Sequence, residues 1–192
     1  EQLSNLACSL RPYEDKFCFS TVVEIDESGK VYKEWFGRTV IHSDRRFSYE
    51  QAQEIIEGAE GDFKPEILVL DKIAKILRKK RLSAGAMNIE SEEVRFRLDE
   101  TGFPESLMIK RSKDAHKLIE EYMLLANRLV ATYVSKQKKN DAHIPFVYRC
   151  HDKPDAAKIE MFNMFIQKFG YEIETSDPNS ISKNINALLD DI

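Results

Sequence analysis

Alternating apolar and polar residues predict two β-hairpins in the first part of the chain. Residues 17–26 and 31–43 are rich in β-branched and aromatic side chains, and Gly29 lies in the short segment between them. Residues 92–99 and 105–111 have a similar composition and flank the turn-like sequence ETGFP. Such pairs of strand-like runs around a glycine-containing turn are typical of antiparallel hairpins.

Apolar residues at helical spacing predict five helices. Ser48 and Gln51 form a capping-box pattern at the start of a helix that Gly58 would end. Residues 65–82 and the long run 113–138 repeat apolar positions every three or four residues. Two helices near the end of the chain, one closed by Gly170 and one over 177–191, follow a predicted short strand at 145–151. This order of elements predicts an α/β (α+β) fold with a mainly antiparallel sheet packed with helices.

The composition is that of an ordinary folded domain, which we expect to span residues 1–192. Apolar residues make up 42% and charged residues 32% of the chain. No apolar run approaches the ~18 residues that cross a bilayer, so we expect a cytoplasmic protein without a membrane segment. The three cysteines are widely spaced and form no CxxC pair, which indicates reduced thiols rather than a zinc site. The net charge of −4 provides no overall basic field for nucleic acid. Because the chain begins at Glu1 without a methionine, we expect a piece of a longer protein.

Two groups of polar residues lie on different faces of the predicted long helix. At about 100° per residue, one group falls between apolar neighbours and is expected to point inward. The other group, which contains Glu121 next to Glu120 in the sequence, is expected to face water. The inward group is His116, Glu120 and Asn127, and the solvated group is Lys117, Glu121 and Arg128.

An inward carboxylate at Glu120 admits two interpretations. A buried carboxylate needs an ion pair or hydrogen bonds, because burying it alone costs several kcal/mol. Glu120 could belong to a structural network with His116 or a backbone N–H. It could instead line a narrow channel and accept hydrogen bonds from a ligand hydroxyl. The periodicity of the helix leaves both interpretations open.

Five segments resemble, in the same order, the RNase R and RNase II family of exoribonucleases, and bacterial RNase R most of all. The most specific is RSKDAHKLIEEYMLLAN, which is similar to the family's ERNDAHRLIEE-x-M-x-AN. The resemblance is strongest over residues 3–172 and points to the middle part of the family's RNB-type catalytic domain. The other segments are LSNLACSLRPYEDKFCFS, VIHSDRRFSYEQAQEIIEG, RKKRLSAGAMNIE and VYRCHDKPDAAKIEMFNMFIQKFG.

The resemblance implies processive hydrolysis of single-stranded RNA from its 3′ end to nucleoside monophosphates, with Mg²⁺. It also implies that Tyr49 and Glu120 contact the ribose of the 3′-terminal nucleotide and help distinguish RNA from DNA. His116 would join them as a partner of Glu120. Arg149 and His151 are candidates for phosphate contacts, although a solvated or capping role fits them equally well.

The family's aspartate cluster precedes the LSN-x-x-CSL segment, and its SPIRRY-like arginine follows the matched region. We therefore expect no catalytic residue and no metal site in this chain. We expect Mg²⁺ only in the longer protein, single-stranded RNA as the partner and no obligate protein partner. Two rival hypotheses remain: a module that binds RNA 3′ ends without cutting, and a structural domain in which Glu120 is satisfied internally.

Overall fold

Both predicted hairpins are confirmed, and every strand pair within the described residues is antiparallel. The computed structural model describes residues 2–88, 93–139, 141–150, 152, 154–174 and 178–191. Mixed helices and antiparallel strands confirm the predicted α/β (α+β) class. The strands form three separate two-stranded sheets rather than one larger sheet in this part of the chain. The strands are β1 (Asp15–Ile25), β2 (Val31–His42), β3 (Glu93–Leu98), β4 (Pro104–Lys110), β5 (Lys138–Lys139) and β6 (Ala142–His143).

The helices begin and end close to the predicted positions. The capping box is present: the N–H of Gln51 donates to Oγ of Ser48 at 3.2 Å, and the N–H of Ser48 donates to Oε1 of Gln51 at 3.0 Å. None of the described helices combines the length and apolar character needed to cross a membrane. The helices are α1 (Tyr49–Ile56), α2 (Lys64–Ser83), α3 (Asp114–Lys136), α4 (Ala156–Gln167) and α5 (Pro178–Asp191), with a short π-helical segment at Gln2–Ala7.

The chain divides into two units, and each has its own apolar core. The first unit comprises residues 1–77 and 113–147, and the second comprises residues 78–112 and 148–192. The prediction of one domain over the whole chain stays a prediction. In the first unit, α2 and α3 pack through Ile73, Leu77 and Leu125, joined by Ile25, Val31, Tyr122 and Leu129. In the second unit, the core consists of Ile166, Ile173 and Leu188, with Tyr171 and Ile185 packed against it.

The predicted short strand at 145–151 is wrong for the residues that the structure describes. Residues 145–150 pair with no described strand, and all of them are exposed. Aromatic and β-branched side chains favour a strand only where a neighbouring strand can form backbone hydrogen bonds with it. In addition, Pro145 has no backbone N–H to donate in such a ladder. The nearby ladder is instead the short β5–β6 pair, in the polar segment that ends α3.

The same turn closes the β1–β2 and β3–β4 hairpins. In DESGK, Oδ1 of Asp26 accepts from the N–H and the hydroxyl of Ser28 and from the N–H of Lys30, at 2.7–2.9 Å. In DETGF, Oδ1 of Asp99 accepts the equivalent three bonds at 2.7–2.9 Å. The fourth residue of each turn is a glycine, with φ of 73° and 83°, a left-handed conformation that favours glycine. Each strand pair also shifts register next to its turn.

These bonds stabilise the ionised form of the turn aspartate. The hydroxyl of Ser28, then the N–H of Lys30 and the hydroxyl of Tyr32, hold the pKa of Asp26 far below its ordinary value. The hydroxyl of Thr101 and the N–H of Phe103 likewise lower the pKa of Asp99. A carboxyl whose folded-state pKa is lowered contributes stability above its unfolded pKa. That contribution is lost as the pH falls towards the folded pKa.

We therefore expect Asp26→Ala to lower the free energy of unfolding at pH 7, and the difference from wild type to shrink below about pH 4, the ordinary carboxyl range. Urea unfolding followed by circular dichroism at several pH values measures this. Glu24→Ala is the matched control, because Glu24 is an exposed acid of the same hairpin whose Oε1 lies 3.2 Å from Nζ of Lys33, another exposed side chain. A pH-independent difference for Asp26→Ala would contradict the assignment.

Candidate RNA 3′-end site

Tyr49 and His116, two predicted site residues from different helices, stack on each other. Their ring centroids lie 4.0 Å apart and the ring planes differ by 13°. Tyr49 is the first residue of α1, directly after the Ser48 cap, and 41% of it remains exposed. The stack therefore presents one partly open aromatic surface at the junction of α1 and α3.

His116 is fixed by the first turn of α3. The backbone N–H of Lys113 donates to Nδ1 of His116 at 3.3 Å. Because Nδ1 accepts this bond, the neutral imidazole carries its proton on Nε2. The ring is thus held by the helix start on one side and by Tyr49 on its face.

The two adjacent glutamates of α3 have the opposite burial to the one predicted. Glu121, expected to face water, is only 3% exposed, whereas Glu120, expected to point inward, is exposed. Asn127 is exposed as well. Glu120, His116 and Asn127 do share a face, but that face is not the one that packs against the core.

The reason for this error is the distribution of apolar residues around α3. Apolar side chains lie on both sides of the helix, so periodicity shows which residues share a face but not which face is covered. Contacts of Leu125 with Ile73 and Leu77 of α2 decide the matter. Glu121 lies one turn before Leu125 and is buried with it.

A cavity of about 690 Å³ opens beside Tyr49 in the first unit. Its walls are mainly apolar and come from β2, α1, α2 and α3 and from the segment 43–48 that joins β2 to α1, with Leu10 and Phe63. Three aromatic side chains line it, together with the charged groups of Asp44, Arg45 and Glu66. The volume lies within the range of ordinary small-molecule sites. The aromatic residues are Phe47, Tyr49 and Phe63.

Two contacts that sequence reasoning missed hold the start of α3. Oε1 of Gln53 accepts from the N–H of Ala115 at 3.0 Å, and Nζ of Lys75 lies 3.0 Å from Oδ2 of Asp114 and 2.7 Å from Oδ2 of Asp71. Asp71, then Asp114, raise the pKa of Lys75. One signal was available for Gln53: it is a polar residue one turn after Tyr49, on the apolar side of α1.

The other two predicted site residues, Arg149 and His151, follow α3 in the sequence. Arg149 is exposed in the second unit, and His151 lies outside the described residues. Their proposed phosphate contacts stay a prediction. The cysteines Cys8, Cys18 and Cys150 are free thiols.

Among the residues that the structure describes, no group of three or more His, Cys, Asp or Glu side chains comes close enough to hold a metal ion. The described residues therefore provide no ligand group that fits the Mg²⁺ implied by the resemblance for the longer protein.

Comparison with known proteins identifies the family. The sequence profile of the RNB domain matches residues 1–192, so the chain belongs to the RNB domain family. DIS3-like exonuclease 2 of Schizosaccharomyces pombe is 36% identical over 88% of this chain and 20% of its own length. The inactive exonuclease DIS3L2 of Arabidopsis thaliana is 30% identical over 97% of this chain and 19% of its own length. The chain thus spans about a fifth of the length of these relatives.

A solved structure shares the fold. RNase R of Mycoplasma genitalium, in complex with ribose-methylated single-stranded RNA, superposes with a TM-score of 0.85. It is 23% identical, and the match covers 98% of this chain and 30% of that protein. Membership of the RNB family confirms the family predicted from the five segments. A special closeness to bacterial RNase R stays a prediction, since similarity extends to eukaryotic DIS3-like exonucleases.

The different burial of the two glutamates predicts that their substitution changes stability by very different amounts. Glu121→Ala should lower the free energy of unfolding by about 3 kcal/mol, because removing one member of a buried polar contact leaves the other member buried without compensation. Glu120→Ala, one residue away on the exposed face, should change it by less than about 0.5 kcal/mol. Urea unfolding of the two variants measures both values, and equal losses would contradict the assigned faces.

Proposed function

We propose that this chain carries the 3′-end recognition surface of an exoribonuclease that hydrolyses single-stranded RNA processively from its 3′ end to nucleoside monophosphates. Membership of the RNB family supports the proposal. So do the names of relatives such as DIS3-like exonuclease 2 and the single-stranded RNA held by the RNase R of similar fold.

The observation that carries the proposal is the stack of Tyr49 on His116 beside the exposed carboxylate of Glu120. His116 and Glu120 are four residues apart in α3, so their side chains are neighbours on one face. An aromatic surface can stack on a base or lie against a ribose, and does so for any base. An ionised carboxylate is a strong acceptor for the ribose 2′-hydroxyl, which DNA lacks.

The cavity beside Tyr49 supplies a second element of such a site. Phe47, Tyr49 and Phe63 line it, and aromatic walls of this kind suit a nucleobase. In the proposed arrangement, the terminal base occupies the cavity and the ribose lies against Tyr49, towards Glu120. Asp44 and Glu66 in the same walls would repel phosphates. The backbone of the RNA should therefore leave the cavity rather than enter it.

Phosphate contacts must come from local basic groups, because the net charge of the chain is −4. Arg45 lines the cavity. Its Cζ lies 5.4 Å from the centre of the Phe47 ring, and its Nε lies 3.4 Å from Oδ2 of Asp62. Arg149 and His151 remain our further candidates for phosphate contacts. We also propose single-stranded RNA as the main partner, a cytoplasmic location and no obligate protein partner.

We further propose that no residue of this chain is catalytic and that Mg²⁺ acts in the longer protein. The order of family motifs supports this proposal, since the aspartate cluster of the family precedes the LSN-x-x-CSL segment. In the longer protein, a bound Mg²⁺ would supply activation of a water molecule and stabilisation of charge at the phosphate. The residues of this chain would bind and orient the end of the strand.

A second candidate function is a module that binds RNA 3′ ends without cutting them. The similarity to an inactive exonuclease of Arabidopsis thaliana, 30% identical over 97% of this chain, favours it. Both candidates require the same recognition surface. They differ in what the longer protein does with the bound strand.

The recognition surface predicts that the chain binds single-stranded RNA more tightly than DNA of equal sequence. Glu120→Gln should reduce this preference about fivefold, because a neutral amide is a weaker acceptor and the loss is about 1 kcal/mol. Tyr49→Ala should weaken binding of both polymers through loss of stacking. Fluorescence anisotropy measures these affinities at a fixed salt concentration. The oligonucleotides carry the fluorophore at the 5′ end, so that the 3′ end stays unmodified.

The matched control is Glu54→Gln, the same substitution at an exposed acid of α1. It should leave the RNA-to-DNA ratio unchanged. Equal binding of RNA and DNA by the wild type, or a preference that Glu120→Gln leaves intact, would refute the proposed role.

The assignment of catalysis to other parts of the longer protein predicts that this chain alone does not digest single-stranded RNA. Incubation with 5′-labelled RNA and Mg²⁺ should leave the strand intact on a denaturing gel. A ladder of shortened products that EDTA abolishes would show that the chain is itself a nuclease.

A further inference from the structure

Gln53 forms a buried link between the two helices that carry the proposed recognition residues. It lies one turn after Tyr49 in α1 and is only 7% exposed. Its Oε1 accepts from the N–H of Ala115 in α3 at 3.0 Å, and Ala115 itself is only 3% exposed. The bond therefore joins α1 to α3 at a point that water does not reach.

Glu57 fixes the orientation of this amide. Nε2 of Gln53 donates to Oε1 of Glu57 at 2.9 Å, one further turn along α1. An amide can be placed with its oxygen and nitrogen exchanged, and its hydrogen-bond partners decide between the two. Here an acceptor faces the nitrogen and a donor faces the oxygen, so only one orientation satisfies both bonds.

The donor at Ala115 has no substitute partner within its helix. It belongs to the first turn of α3, where backbone N–H groups find no acceptor four residues earlier. A buried N–H left without an acceptor is unfavourable. Removal of the Gln53 oxygen would therefore force α1 and α3 to move until water or another group reaches this N–H.

Such a movement would change the distance between Tyr49 and Glu120. His116, next to Ala115, stacks on Tyr49 with the ring centroids 4.0 Å apart, and Glu120 follows one turn later on the same helix. The ion pair of Lys75 with Asp114 holds α3 to α2 independently of Gln53. The start of α3 therefore stays folded when the Gln53 bond is lost, while its placement relative to α1 changes.

We propose that Gln53 is the positioning residue that sets the spacing of Tyr49 and Glu120, and thereby the preference of the site for a 3′-terminal ribose over a deoxyribose. This inference rests on the proposed function. Gln53 touches no nucleotide in this scheme and acts through the helix start that it holds.

The test compares wild type with Gln53→Met, which has a similar shape but no acceptor, and with the double variant Gln53→Glu/Glu57→Gln. In the double variant the donor and acceptor of the pair are exchanged, and a carboxylate oxygen remains for the N–H of Ala115. Each variant is measured with RNA and with the same RNA carrying one 2′-deoxy nucleotide at its 3′ end. Hydrogen exchange of the Ala115 amide is measured in parallel.

We expect Gln53→Met to reduce the ribose preference about fivefold, the scale of one hydrogen bond, with affinity for the deoxy end unchanged. The Ala115 amide should exchange faster. The double variant should restore both the preference and the slow exchange. Leu125→Val, a change in the core of the same unit, is the control: it should lower the unfolding midpoint without altering the preference.

The outcomes separate this inference from the function on which it rests. If the wild-type chain showed no preference for a 3′-terminal ribose, both the positioning role of Gln53 and the proposed recognition function would be refuted. A preference that depends on Glu120 but survives Gln53→Met, despite faster exchange at Ala115, would overturn the positioning role alone. An equal loss of preference in Leu125→Val would also overturn it, since general destabilisation would then suffice.

Discussion

The placement of the first turn of α3 is the constraint on which the rest of the first unit depends. A helix start leaves several backbone N–H groups without intrahelical acceptors, and a buried start must find them elsewhere. Here Gln53 supplies one acceptor from α1, while Lys75 holds Asp114 from α2. With its start fixed from two sides, α3 brings His116 onto Tyr49 and presents Glu120 on its outer face.

The fold was largely predictable from local chemistry. The turns DESGK and DETGF contain an aspartate, a hydroxyl residue and a glycine in the order that a bulged hairpin needs, and both hairpins are present. Ser48 and Gln51 likewise marked the start of α1 correctly. Each of these features depends on residues within five positions of one another, so the sequence alone contains the information.

The site was less predictable because its geometry depends on contacts between distant segments. Gln53 and Ala115 are 62 positions apart, and nothing in either local sequence shows that they meet. The same limit explains why the predicted burial of Glu120 and Glu121 was the reverse of the observed burial. Helical periodicity showed which residues share a face with each glutamate, but contacts with α2 and the strands decide which face is covered.

The exposure of Glu120 changes the physical account of how it would select ribose. A buried carboxylate must be compensated before RNA arrives, whereas an exposed one is already open to solvent and to a ligand hydroxyl. Binding then replaces water at the carboxylate with the 2′-hydroxyl, and the net gain from one such exchange is small. Selectivity on this scale requires that the hydroxyl arrive in good geometry without further ordering of the protein. The rigid junction of α1 and α3, rather than burial of the acid, is therefore what makes Glu120 an effective acceptor.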